Sequence, residues 1–149
     1  MSGSRTSPPG FTLLEVLLSI SVIGVLAAIA IPLYLTYQVR NDFQIAVETT
    51  ALSLRRAQAL ARAGEADGDW GVYLESGGIT LFQGANYASR DVDSDEITTM
   101  PESIVLSGLS ELTFAKFSGL PNATGTIDFE SVRHDTASIS VNAKGTIDY

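Results

Sequence analysis

The feature that most constrains this chain is a long apolar segment near its start. No charged residue occurs between Glu15 and Arg40, and Leu, Ile, Val and Ala dominate the interval. An α-helix of about 20 such residues, rising 1.5 Å per residue, spans a hydrocarbon layer of about 30 Å. The segment is therefore predicted to be a helix that can sit in a membrane.

One acidic residue lies inside the apolar end of this segment. In its ionised form, the carboxylate of Glu15 would cost about 2.5–3.5 kcal/mol at the centre of a bilayer. Two interpretations follow. In an isolated anchor the carboxyl group would snorkel to the headgroups or take up a proton, whereas in an assembly it would have a positively charged partner.

The segment that starts at Gly10 and continues FTLLEVLLSISVIGVLAAIAIPLYLTYQVR resembles the N-terminus of type IV pilins and pseudopilins. The shared features are a small residue before the cut, an aromatic residue after it, an acidic fifth residue, and then Gly24, Pro32, Tyr34, Tyr37 and Arg40. A generic signal peptide has its cleavage site after the apolar region, whereas this processing signature precedes it. A signal-anchored protein of another kind is the alternative.

The resemblance implies a specific maturation. In that family a prepilin peptidase, which is also a methyltransferase, would cut after Gly10, remove residues 1–10 and methylate the new N-terminus at Phe11. The apolar helix would first lie in membrane lipid and then enter a helical filament of pilins or pseudopilins built on an inner-membrane assembly platform. The Glu15 carboxylate would pair with the Phe11 ammonium of a neighbouring subunit, because two charges that are each costly in lipid cost less together.

The resemblance and the topology together predict the location. The chain would cross the cytoplasmic membrane once, with its C-terminal domain exported, and would then join an extracellular pilus or a pseudopilus. The polar leader carries one charge, Arg5, and its retention in the cytoplasm agrees with the positive-inside tendency.

The helix is predicted to have two halves of different character. Residues 11–39 form the transmembrane and filament-core half, in which Gly24 and Pro32 are the points where the helix would kink or melt during assembly. In residues 40–63 apolar side chains recur at steps of three and four, which predicts an amphipathic half packed on a folded domain. The helix is predicted from about Leu13 to Arg62, and Gly64 is a stop signal.

After Gly64 the apolar period changes to two, and residues 64–149 are predicted to form an exported antiparallel β-domain, a β-sandwich. A tight turn at 76–78 would join the first two strands and residues 142–145 would join the last two. The predicted strands are Trp70–Glu75, Ile79–Gln83, Ser103–Leu106, Leu112–Phe117, Thr126–Glu130, Ser138–Val141 and Gly145–Tyr149. The fold class is α+β, a long N-terminal helix against this domain.

Looser motifs in the exported part resemble the GspH/FimT-like minor pilins. They are LRRAQA at 54–59, WGV at 70–72, Phe117-x-Gly119, and Ile139-x-Val141 followed by Gly145-x-Ile147. A major pilin with a similar β-domain is the competing interpretation. Either way, the chain would be a structural subunit.

The charge balance argues against nucleic acid as a partner. The chain carries 17 Asp and Glu against 9 Lys and Arg, a net charge of −8, and such a surface repels a phosphate backbone. Arg55, Arg56 and Arg62 form the one basic cluster, interpreted as a solvated helix face that pairs with acidic residues of neighbouring subunits. Some FimT-like pilins are DNA receptors with basic tails, but residues 145–149 end in an acidic tail.

The chain has no Cys, so a disulfide is excluded.

An acidic run offers a candidate metal site. Asp91, Asp93, Asp95 and Glu102 have the spacing of the first, third, fifth and twelfth ligands of an EF-hand calcium loop. Glu96 occupies the position where that loop needs glycine, and no helices flank it. Calcium binding is thus one hypothesis and a solvated acidic loop is the default, with no other cofactor indicated.

No set of catalytic residues is recognised in the sequence. The single His, His134, lies in a polar run and is interpreted as a turn residue, because no nucleophile, base and orienting acid can be grouped around it. Three classes of function remain: a filament subunit, favoured by the processing site and Glu15; a membrane-anchored tip receptor or adhesin; and, last, a tethered hydrolase.

Overall fold

A computed structural model describes residues 10–149, which form two compact units, one ending at Gln38 and the other comprising Val39–Tyr149. Helix α1 runs Leu13–Ala63. Apart from Gly10, the predicted leader lies outside the described residues.

The C-terminal part of α1 has one buried face, as the amphipathic pattern predicted. Its buried side chains follow the three- and four-residue spacing: Phe43, Ala46, Val47, Thr50, Ala51, Leu54, Ala57 and Ala61. The helix ends where Gly64 adopts the left-handed conformation, with φ 67° and ψ 28°, and its N–H donates to the Ala61 carbonyl at 3.0 Å. Glycine adopts this conformation without a Cβ penalty, so the predicted stop is confirmed.

Eight strands and two short 3₁₀ helices follow. The 3₁₀ helices are Glu65–Asp67 and Tyr87–Ser89. The strands are β1 (Trp70–Glu75), β2 (Gly78–Gln83), β3 (Asp91–Thr99), β4 (Ile104–Gly108), β5 (Glu111–Phe114), β6 (Gly125–Ser131), β7 (Thr136–Val141) and β8 (Ile147–Asp148). They form two antiparallel four-stranded sheets, in the orders β3-β2-β1-β5 and β4-β6-β7-β8. The α+β fold class is confirmed.

The main core lies between the helix face and the two sheets. Alternate residues of the strands enter it, such as Val72 and Leu74 of β1 and Ile127 and Phe129 of β6. This period-two burial is what a strand with one covered face requires. The core is continuous with the buried face of the helix, so residues 39–63 belong to the folded domain.

A second, smaller layer covers the opposite face of the β3-β2-β1-β5 sheet. The Tyr87 ring stacks on Tyr73 at 3.9 Å between centroids and meets the fully buried Phe82 edge-on at 5.6 Å. The Arg90 guanidinium lies 3.8 Å above the same Tyr87 ring, and the Tyr87 N–H donates to Glu111 Oε1 at 2.9 Å. The segment 84–90 therefore closes this face with aromatic and cation–π contacts.

The structure corrects the strand predictions at one strand that was not predicted and at two strands that are shorter than expected. Residues 91–99 form strand β3, where a solvated acidic loop was expected. Strand β5 ends at Phe114 because the chain turns to place Phe117 at φ 63°, where its N–H donates to the Ala61 carbonyl at 2.8 Å and caps the helix. Strand β8 is limited to Ile147–Asp148.

Candidate functional site

The predicted cleavage site lies just outside the helix. Residues 10–12 are non-helical and exposed, and α1 starts at Leu13 because Thr12 acts as its N-cap. The Thr12 hydroxyl accepts a hydrogen bond from the Glu15 N–H at 3.2 Å, which satisfies one of the unpaired donors of the first turn. The Gly10–Phe11 peptide bond is thus non-helical and reachable by a peptidase.

Glu15 occupies the third helical position. Together with Thr12 it forms a Thr-x-x-Glu sequence, which is typical of a capping box, and its side chain is exposed. A negative charge in the first turn interacts favourably with the positive end of the helix dipole. The residue singled out for assembly therefore also stabilises the helix start next to the cleavage site.

The apolar surface of the N-terminal unit is open to its surroundings. The window Leu13–Ala30 has a mean hydropathy of 2.5 and none of its residues is buried, and Phe11 is 83% exposed. Ser19 and Ser21 donate their hydroxyls to the carbonyls of Glu15 and Leu17, each at 2.8 Å. Because these bonds remain within the helix, the two hydroxyls need no water.

The predicted weak interval of the helix is helical throughout. The backbone remains in α1 from Gly24 through Pro32, and a Cβ added at Gly24 would meet no described atom within 4 Å. Gly24 therefore imposes no local packing constraint in this state. Melting of this interval during assembly remains a prediction.

Gln58 connects three separate parts of the sequence, a role that the sequence did not reveal. Its side chain is 9% exposed, and its Nε2 donates to the Gly119 carbonyl at 3.0 Å and to the Gly145 carbonyl at 2.8 Å. Gly119 and Gly145 have φ values of 62° and 76°, and an added Cβ at either would contact the Arg62 or the Gln58 side chain. The motifs quoted around Gln58, Gly119 and Gly145 thus meet at one buried amide.

The basic cluster is divided among different partners. Arg55 donates to the Ile147 carbonyl at 3.3 Å and lies 5.1 Å from the Tyr149 ring centroid. Arg56 pairs with Glu96 of β3 at 2.6 Å. Both arginines therefore contact groups of their own subunit, and pairing with acidic residues of neighbouring subunits remains a prediction.

The four proposed calcium ligands are not brought together. Asp91 is aligned with Gln83, whereas the Glu102 side chain lies beside Gly77, just before the other end of β2 and about 20 Å away along the strand. Ligands of one calcium ion lie 2.3–2.6 Å from it. The geometry therefore contradicts the EF-hand spacing, because the run folds as a strand.

Asp95 already has a cationic partner. Arg90 Nε donates to its two carboxylate oxygens at 2.8 and 3.1 Å, and this hydrogen bond raises the pKa of Arg90 above its ordinary value. The guanidinium therefore stays charged wherever the domain is folded. Across residues 10–149 no group of three or more His, Cys, Asp or Glu side chains could hold a metal ion.

His134 lies in the β6–β7 turn with φ 63°. Its side chain is 86% exposed, and its Nδ1 is 2.9 Å from Glu130 Oε1. An exposed imidazole paired with a single carboxylate fits the predicted turn role and resembles no catalytic triad.

Comparison with known families gives a match at the start of the chain. Residues 9–31 match the prokaryotic N-terminal methylation motif, which is the hallmark of type IV pilins and pseudopilins. The match includes Gly10, Phe11 and Glu15. No solved structure matches the chain.

With its α+β fold, the chain is thus supported as a type IV pilin-like or pseudopilin subunit, and the motif implies assembly with other pilins in a filament. The family that carries this motif is structural. The apolar helix and the motif together fit membrane anchoring and pilus assembly.

Proposed function

We propose that this chain is a minor, GspH/FimT-like prepilin of a type IV pilus or a type II secretion pseudopilus. It is cut after Gly10, methylated at Phe11 and assembled through its apolar helix. In this proposal residues 1–10 are the leader, residues 11–39 the membrane and filament-core half of the helix, residues 40–63 its amphipathic half and residues 64–149 the exported domain. The observation that carries the pilin assignment is the methylation motif at residues 9–31.

The geometry of the helix start supports processing. A peptidase needs its scissile bond in an accessible, non-helical segment, and the Thr12 cap leaves Gly10–Phe11 outside α1. Cleavage there would leave a new ammonium on Phe11, four residues before Glu15. The Phe11 ammonium would then lie just before the helix, and the Glu15 carboxylate would lie in its first turn.

The exposed apolar surface supports assembly. A fully exposed helix of this hydropathy is unstable in water and has to be covered by lipid or by other apolar helices. Lipid would cover the helix before assembly, and neighbouring pilin helices would cover it afterwards. Inside such a bundle Glu15 would be costly alone, and the Phe11 ammonium of the next subunit would provide its partner.

The contacts of Gln58 support the minor-pilin subtype. The motifs that suggested it, at 54–59, 117–119 and 145–147, are far apart in sequence, yet one side-chain amide joins them. A shared structural function explains why these residue types would occur together. A major pilin with the same domain is the alternative, and copy number in the filament distinguishes the two.

Replacing Glu15 tests the assembly step. In the native cells, Glu15→Ala should still be processed, because the cleavage site and the Thr12 cap remain. Its incorporation into filaments should fall about tenfold or more, since each 1.4 kcal/mol of lost pairing corresponds to a factor of ten. Glu48→Ala is the matched control, because Glu48 is an exposed glutamate of the same helix. Normal incorporation of Glu15→Ala would refute the charge-pairing mechanism.

A further inference from the structure

Two exposed tyrosines follow the apolar window of α1. Tyr34 is 69% exposed and Tyr37 is 66% exposed, and they lie just beyond the end of the window at Ala30. The next charged residue in the sequence is Arg40. Tyrosine has an apolar ring and a polar hydroxyl, and it is enriched where a transmembrane helix passes through lipid headgroups.

The distance from Glu15 to Tyr34 equals the thickness of the hydrocarbon layer. Tyr34 follows Glu15 by 19 residues, all within α1, and a rise of 1.5 Å per residue gives about 29 Å against about 30 Å for the layer. If Glu15 lies at one boundary, the tyrosine pair lies at the other. Neither the carboxylate nor the phenol groups then enter the apolar interior.

We propose that Tyr34 and Tyr37 form a headgroup anchor that binds the phospholipid interface and fixes the position of α1 in the bilayer before assembly. This anchor, together with Glu15 at the opposite interface, centres the helix between Gly24 and Val25. The proposal rests on the proposed function, because it describes the membrane-inserted subunit.

A placement centred on the window Leu13–Ala30 is the alternative. If that window lay symmetrically in the bilayer, the centre would fall between Ser21 and Val22, about 4.5 Å away, and Glu15 would be buried. The two positions differ at Val16 and Leu33. With the tyrosine anchor both lie about 13 Å from the bilayer centre, whereas with that window they lie about 8 and 17 Å from it. The apolar residues 16–33 have the same centre as the anchor, so substitution of the tyrosines is what separates the anchor from hydropathy.

Spin labels distinguish these positions, because the chain contains no Cys and each introduced cysteine is labelled alone. Full-length V16C and L33C would be labelled and reconstituted in vesicles of phosphatidylethanolamine and phosphatidylglycerol. Their depths would be measured from relaxation by oxygen and by a water-soluble nickel complex. We expect depths that agree within about 3 Å; a label at 33 shallower than the label at 16 by about 9 Å overturns the proposal.

Substitution of the tyrosines tests the anchor itself. In Tyr34→Leu/Tyr37→Leu the label at 33 should move deeper and the label at 16 shallower. Tyr34→Trp/Tyr37→Trp, which keeps an amphipathic ring, should preserve both depths. Unchanged depths in the leucine variant overturn the anchor while leaving the pilin assignment intact. Two labels fully exposed to the nickel complex would instead contradict membrane insertion, and with it the proposed function.

Discussion

The buried amide of Gln58 joins the helix to the Gly119 and Gly145 carbonyls. Replacing it with leucine leaves the carbonyls of Gly119 and Gly145 without their donor, in a region where both glycines are buried. A buried group that loses its partner costs about 1–3 kcal/mol. Allowing for the apolar packing that leucine adds, Gln58→Leu should lower the free energy of unfolding by about 2–4 kcal/mol.

Trp70 provides the assay, because it is the single tryptophan, is buried, and donates from Nε1 to the Glu65 carbonyl at 3.0 Å. Urea unfolding of the full chain in detergent would be followed by its fluorescence. A loss of about 3 kcal/mol moves the midpoint by about 2 M at a slope of about 1.5 kcal/mol per M. Gln44→Leu is the control, since Gln44 is exposed on the same helix and should change stability by less than about 0.5 kcal/mol.

A charge at the same position adds a pH signature. In Gln58→Glu the carboxylate would face two carbonyl oxygens, so the folded state would raise its pKa above the unfolded value of about 4.3. The charge-dependent part of the destabilisation should grow as the pH rises above about 4.3 and be absent below it, where the protonated acid donates one of the two lost bonds. Equal stability of the Leu, Glu and native proteins at pH 7 would refute the role of the amide.

Three further predictions concern single contacts. Gly108→Ala should unfold much of the domain or cost more than about 3 kcal/mol, because φ is 86° and the new Cβ would collide with the Thr126 carbonyl; near-native thermal stability would contradict this. Arg56→Ala should cost less than about 1 kcal/mol, since its pair with Glu96 is exposed, and a double-mutant cycle with Glu96→Ala would measure the coupling. Millimolar calcium should leave the urea midpoint unchanged, because Asp91 and Glu102 lie at opposite ends of β2; a reproducible increase would restore the metal hypothesis.

Features with a strong local cause were predictable from the sequence. The buried face of residues 40–63 was predicted from its period, and residues of that pattern such as Phe43, Leu54 and Ala61 are buried. The stop at Gly64 was readable because a left-handed residue after a helix favours glycine. Strand β1 and the turn after it followed from alternation and a glycine pair.

Strand β3 could not be read from the same pattern. It lies at the edge of its sheet, and its residues are exposed or partly exposed on both faces, so burial imposes no alternation. Its acidic residues suggested a metal loop, because their spacing in sequence was considered without the register that separates them. The pairing of β3 with β2 is a long-range property, which local sequence does not encode.

The Gln58 contacts were missed for a related reason. A single glutamine in an amphipathic helix carries no signal of its own, and its acceptors lie 61 and 87 residues away. The glycines themselves were the one local signal. Glycine is favoured where the backbone has a positive φ, and both Gly119 and Gly145 have one. The aromatic layer around Tyr87 was likewise not readable, because it depends on how segment 84–90 folds back over the sheet.

Mass spectrometry of filaments sheared from the native cells tests the central claim most directly. The assembled chain is predicted to begin at N-methylated Phe11, to lack residues 1–10 and to be present in few copies beside a more abundant pilin. If the chain is the most abundant protein of the filaments, it is a major pilin and not a minor one. Chains found only in the membrane and still starting at Met1 would contradict the filament account.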